Sequence, residues 1–161
     1  MGRFDFKDDK DFEAVREKAE TTYEGIGSVW CPYFKEKIAF NAKGIRHLKF
    51  KSDQRARTRQ DQYARLKLLS LAAQVLTLSG TVQGIWHTKQ FETQKANSRW
   101  EKMLREVSFY EFVAVLDGVR VRVIVKQVQA GEKHFWSIMP FWKVNTDTKH
   151  RVLHNGDPEN D

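Results

Sequence analysis

The feature that most constrains the fold is a two-residue turn signal, Asp117-Gly118, set between two segments that alternate in character. Asp-Gly tolerates the positive φ angles that a tight type I′ hairpin turn needs at both central positions. Such a turn fixes the pairing register of its strands. Leu116 then faces Val119, Ala114 faces Val121, Phe112 faces Val123 and Tyr110 faces Val125. This face is wholly apolar and has to be covered. The other face pairs Val115 with Arg120, Val113 with Arg122, Glu111 with Ile124 and Phe109 with Lys126. If Ala130-Gly131 makes the next turn, Ile124 pairs with Ser137, which joins the polar face with Phe135 and Met139 beside it.

The segments before the hairpin read mostly as helices. Residues 8–22 form an amphipathic helix that Asp8 or Asp9 caps, with Phe12, Val15 and Ala19 on one face. Two short extended pieces follow, Ser28 to Tyr33 and Lys37 to Asn41. Asn41 caps a short helix over 42–50, and a basic loop runs from Lys51 to Arg57. A long helix spans Thr58 to about Leu78, its second half apolar almost all round and so expected to be buried. Thr81 to Gln90 reads as a strand and Asn97 to Arg105 as a short helical turn. Phe109 to Leu116, Val119 to Val128 and His134 to Trp142 are rich in β-branched and aromatic residues, as strands are. The expectation is a single α+β domain over 1–161, with its core in about 28–143 and a polar tail over 145–161. The long helix is the simplest cover for the apolar sheet face.

Positive charge is concentrated in one place. Nine of the 28 Lys and Arg residues, but only two of the 21 Asp and Glu, fall between Asn41 and Lys67. That local excess of seven equals the net charge of the whole chain, +7. A local excess points to a polyanionic partner, with nucleic acid the default. Lys43, Lys49, Lys51, Arg55, Arg57, Arg59 and Arg65 are the residues expected to grip its backbone. With 12 % aromatic residues the chain is too rich in packing groups to be disordered. The single cysteine, Cys31, leaves no internal disulfide and no Cys-based zinc site. His150 and His154, with Asp157 beyond, lack a third firm ligand, and neither metal nor cofactor is expected. No apolar segment is long enough for a membrane, and no apolar leader opens the chain. The expected location is cytoplasmic, or a target cell reached by delivery without a signal peptide.

Arg120, Arg122, Lys126, Glu111 and Ser137 on one sheet face are the parts for handling a phosphodiester. Cations hold the phosphate and stabilise the added negative charge of its pentacoordinate transition state. A carboxylate or an imidazole takes the 2′-hydroxyl proton, and a second group protonates the leaving oxygen. His47 follows Lys43 by four residues and precedes Lys51 by four, so the three share a helical stripe. The same polar face also fits a solvated sheet surface without chemistry. His87 and His134 lie in strands and read as structural.

These residues also carry a resemblance. Gly44-Ile45-Arg46-His47-Leu48 form a short helix with a histidine. Ala72 to Leu76 and Val82 to Trp86 form an apolar helix running through a turn into a strand. Glu111 to Lys126 give a hairpin with basic alternation, and Phe135-Trp136-Ser137-Ile138-Met139-Pro140 a last strand with Ser before Pro. The order resembles the phage-associated branch of the barnase–EndoU–colicin–RelE ribonuclease superfamily, over about residues 28–143. The resemblance implies helices packed on an antiparallel sheet of about four strands. It implies a metal-independent ribonuclease acting as a toxin or effector, with RNA as substrate. His47 would be the helix histidine, Arg120, Arg122 and Lys126 the sheet cations, Ser137 the polar residue of the last strand and Glu111 the carboxylate. Where many relatives carry a second histidine, this chain has Lys49-Phe50-Lys51. Two other readings stand beside it. One is an RNA- or nucleic-acid-binding module without catalysis. The other is a basic interaction protein that meets an acidic partner, such as an antitoxin or immunity protein.

Overall fold

The computed structural model describes residues 4–52, 54–96, 98–140 and 159. The expectations placed on His150, His154, Asp157, the end of the last strand and nearly all of the polar tail lie outside these residues. The architecture is α+β, with three helices and a six-stranded mixed sheet among the described residues. The helices are α1 (Asp9–Ile26), α2 (Ala42–Lys49) and α3 (Arg59–Leu78). The strands are β1 (Ser28–Cys31), β2 (Glu36–Ala39), β3 (Gly84–Ala96), β4 (Arg99–Leu116), β5 (Val119–Val128) and β6 (His134–Pro140). Each helix starts where a side-chain oxygen satisfies one of its orphan N–H groups. Asp8 Oδ1 accepts from Asp11 N at 2.9 Å, Asn41 Oδ1 from Lys43 N at 3.1 Å, and Thr58 Oγ1 from Asp61 N at 3.1 Å.

The hairpin register is the one the Asp-Gly turn dictates. Leu116 pairs with Val119, Phe112 with Val123 and Glu111 with Ile124, and both turn residues have positive φ (50° and 72°). The apolar face of β4 and β5 packs with Leu66, Leu69, Ala72, Val75 and Leu76 of α3 in the main core. The last turn of α3 is less buried than its composition suggests, and Leu78 is 72 % exposed.

The sheet is larger than expected, and not wholly antiparallel. Its order is β1-β2-β6-β5-β4-β3. The two short N-terminal pieces form their own hairpin, and β2 joins β6 in parallel through Ala39 and His134. Of the helical turn expected over Asn97 to Arg105, residues Arg99 to Arg105 are instead the start of β4. β3 and β4 pair from Gly84 and Glu111 out to Ala96 and Arg99, whereas β5 accompanies β4 only to Val107. Beyond that point the two strands form a projecting arm, with Phe91 and Trp100 70 % and 72 % exposed. Cross-strand pairing, rather than local propensity, decides the state of such a segment.

A second departure lies in β6. Ile124 pairs with Ser137, but Val125 pairs with Phe135, so Trp136 is an extra residue in a β-bulge. The bulge sends Phe135 into the main core instead of beside Ser137, and it turns Trp136 to the polar face with Phe109 and Ile124. Helix α2 docks against this strand through Gly44. A Cβ there would lie 2.5 Å from both the Phe135 carbonyl oxygen and the Tyr23 hydroxyl. A backbone oxygen held in a sheet cannot step aside, so Gly44→Ala is expected to destabilise the fold by about 1–3 kcal/mol in denaturant titration. An unchanged midpoint would mean that α2 is not seated this closely.

Candidate nucleic-acid site

Helix α2, the loop after it, the arm and the bulged end of β6 enclose one cleft of about 530 Å³. Lys43, Arg46, His47, Lys51 and Ser52 line one side. Gln90, Phe91, Glu92 and Lys102 of the arm line another, and Lys126, Trp136 and Glu159 complete it. Lys43, His47 and Lys51 all reach this cleft, but α2 ends at Lys49, so Lys51 comes from the loop beyond the extended Phe50 and not from the helical stripe, and the three sit at different depths. Lys43 and Lys51 are exposed, whereas His47 is 3 % exposed.

His47 is sunk because the bulge offers it a flat partner. Its ring stacks on Trp136 with centroids 4.0 Å apart and planes 20° apart. On its other side Arg57 donates to the His47 carbonyl oxygen at 2.8 Å and to His47 Nε2 at 3.0 Å. A guanidinium can only donate, so Nε2 accepts and carries no proton in this arrangement. Asp61 takes Arg57 Nη1 at 3.3 Å and Arg65 Nε at 2.7 Å, and Arg65 Nη1 donates to Ser137 Oγ at 2.6 Å. Arg57 and Arg65 were expected to grip a polyanion. They are buried and bonded inward, because Asp61 four residues from each pulls both onto the inner side of α3. Of the remaining basic residues, Lys49 pairs with Glu20 and Arg59 with Asp9, and Arg55 is exposed on the loop.

The expected sheet site divides in two. Arg122 Nε donates to Glu111 Oε2 at 2.7 Å, with both side chains 6 % exposed. Arg120 is half-buried at the turn end of β5. Arg122 lies four residues from Lys126, about 13 Å along the strand. A small apolar cluster of Val107, Phe109, Ile124 and Trp136 occupies this face too. Ser137 is fully buried. Of the sheet groups named from sequence, Lys126 is the one that lines the cleft.

Lys126 is held closely. Its Nζ lies 2.8 Å from Glu92, 3.1 Å from Glu159 and 4.1 Å from the centre of the Trp136 ring. Burial raises the pKa of Glu92, but the hydrogen bond and charge of Lys126 outweigh it, helped by Gln90 and Lys43, so the net direction is down. Glu92 is therefore a carboxylate throughout the neutral range. Sequence reasoning missed Glu92, Lys102 and Trp136. The first two sit on the arm, whose length no local signal announced, and the third is turned by the bulge.

His134, across the strand pair from Lys126, is 4 % exposed, and its Nε2 has no hydrogen-bond partner among the described residues. Burial first, and then the charges of Lys126 and Lys43, lower its pKa from 6.5 to about 4, against the opposing pull of the Glu132 carbonyl and of Glu92. Its folded-state pKa lies below the unfolded value, so the unfolded chain binds the extra proton between them. Stability is present in full above pH 6.5 and falls as the pH drops towards 4, by on the order of 3 kcal/mol. His134→Gln should flatten that acid limb in denaturation curves taken between those two values. A limb of unchanged slope would place the lost stability elsewhere.

Among the described residues no three His, Cys, Asp or Glu side chains are grouped to hold a metal ion, and no helix is long and apolar enough to cross a membrane. No family model, curated protein or solved structure matches this chain.

Proposed function

We propose that the protein is a metal-independent endoribonuclease that seats single-stranded RNA in this cleft, the activity implied by its resemblance to the barnase–RelE group. The observation that carries the reading is the convergence of Lys43, Arg46, Lys51, Lys102 and Lys126 on one cleft that also contains an ionised carboxylate, Glu92. The antiparallel run β6-β5-β4-β3 backed by α3 supports the family likeness. The cations would hold successive phosphates. Phe91, exposed on the arm and lining the cleft, offers a face on which an unpaired base stacks.

The chemistry follows from a contest for one ammonium. An arriving phosphate draws the Lys126 charge away from Glu92, and the carboxylate recovers the basicity that Lys126 had suppressed. Glu92 then takes the 2′-hydroxyl proton as that oxygen attacks the adjacent phosphorus. Lys126 stabilises the pentacoordinate phosphorane. The bond to the 5′-oxygen breaks, leaving a cyclic phosphate, and that oxygen is protonated from the open side of the cleft. Glu92 thus takes the part that the family likeness gave to Glu111, and the neutral His47 serves as a wall of the site.

A second reading, binding without cleavage, is favoured by the closed Glu111–Arg122 pair and by Arg65 on Ser137, which remove candidate catalytic groups. Purified protein incubated with labelled tRNA in EDTA separates the two. Fragments ending in cyclic phosphate are expected, with 2′-O-methyl RNA left whole. Intact RNA that is retarded on a gel would establish the binding module instead. Neither cleavage nor retardation would leave an acidic protein partner, such as an antitoxin or immunity protein, as the ligand.

A further inference from the structure

We propose that Lys126 and Ser52 form a phosphate subsite that the carboxylate of the chain's own Glu159 fills, so that Glu159 competes with the ligand. The geometry is specific. Glu159 Oε1 accepts from Ser52 Oγ at 2.7 Å, and Glu159 Oε2 lies 3.1 Å from Lys126 Nζ. The Glu159 backbone carbonyl lies 2.9 Å from the same hydroxyl and competes for its one proton. The contact spans 107 residues of sequence from the α2–α3 loop, and 33 from β5. One hydroxyl and one ammonium on two oxygens of an anion is the pattern by which a phosphate is held. A carboxylate supplies the same paired oxygens and a single negative charge.

The electrostatics make this carboxylate the replaceable one. Lys126 carries one charge, and Glu92 already balances it at 2.8 Å. Glu92 comes from a strand paired along its length, so it is fixed in place. Glu159 is therefore a second carboxylate on a single ammonium, in a cleft also lined by Lys43, Arg46, Lys51 and Lys102. A phosphodiester group entering the subsite gains the same two donors. It also brings neighbouring phosphates to Lys43 and Lys51, which a single carboxylate cannot do. The identity of the phosphate as one of a nucleic acid rests on the function proposed above, whereas the subsite itself does not.

The test is calorimetric titration of the full chain and of Glu159→Gln with two probes: inorganic phosphate and a 2′-O-methyl oligonucleotide that resists cleavage. Removing the competing charge is expected to tighten both by roughly three- to tenfold, the range of one partly exposed ion pair. Ser52→Ala should weaken phosphate binding in the Glu159→Gln background. A gain for inorganic phosphate alone would support the subsite and overturn its nucleic-acid ligand. Equal affinities in the two proteins, binding indifferent to Ser52, or no phosphate binding by either would overturn the proposal. RNA that is bound but never cut would count against the ribonuclease reading and leave the subsite standing.

Discussion

Lys126→Met is expected to lower RNA cleavage by about a hundredfold or more, the usual loss when one group stabilising a developing oxyanion is removed. Methionine keeps most of the volume, so packing on Trp136 and Phe109 persists while the charge goes. The phosphorane loses its buried cation, and Glu92 loses the partner that most lowers its pKa. Glu92→Gln makes the complementary case. Its amide still bonds Lys126 but cannot take a proton, so cleavage should fall by a comparable factor while affinity for uncleavable RNA is kept or improved. Single-turnover rates and filter-binding constants for the two variants check this. If Glu92→Gln cleaves at the parent rate, the base is another group. If Lys126→Met cleaves at the parent rate, the cleft does not hold the reacting phosphate.

Glu111→Ala should instead act on stability, costing on the order of 3 kcal/mol, because it removes the carboxylate bonded to the Arg122 guanidinium in a buried site. The two side chains are 6 % exposed and bonded at 2.7 Å. Replacing both, as Glu111→Leu with Arg122→Met, removes the buried charge too and should restore most of the loss, since buried pairs are often matched by apolar residues of similar volume. Denaturant titration of the single and double variants measures this coupling. The folded fraction of each should cleave RNA at close to the parent rate. A double variant that is stable but inactive would return Glu111 to the catalytic role implied by the family likeness and take it from Glu92.

The two predictions divide a set of residues that looked like one site in the sequence. Alternation along β5 places Arg120, Arg122 and Lys126 on one face, and that placement holds. It does not say how far apart they act. Three residues of strand separate Arg122 from Lys126, and each finds its own carboxylate first. The basic stretch divides in the same way. Lys43 and Lys51 line the cleft, while Arg57 and Arg65 are drawn inward by Asp61, an acid that counted in the sequence only as a small reduction of the positive charge.

Local chemistry alone determined the hairpin register, the three helix starts and the local excess of charge. A turn type, a capping oxygen and a count of side chains depend only on residues a few positions apart. The tertiary structure decided the bulge that turns Trp136 towards His47, the length of the arm that brings in Glu92, and the docking of β2 on β6. Each of these is a choice of pairing partner on another strand. Its free energy comes from surfaces buried between segments, and no single segment carries that term.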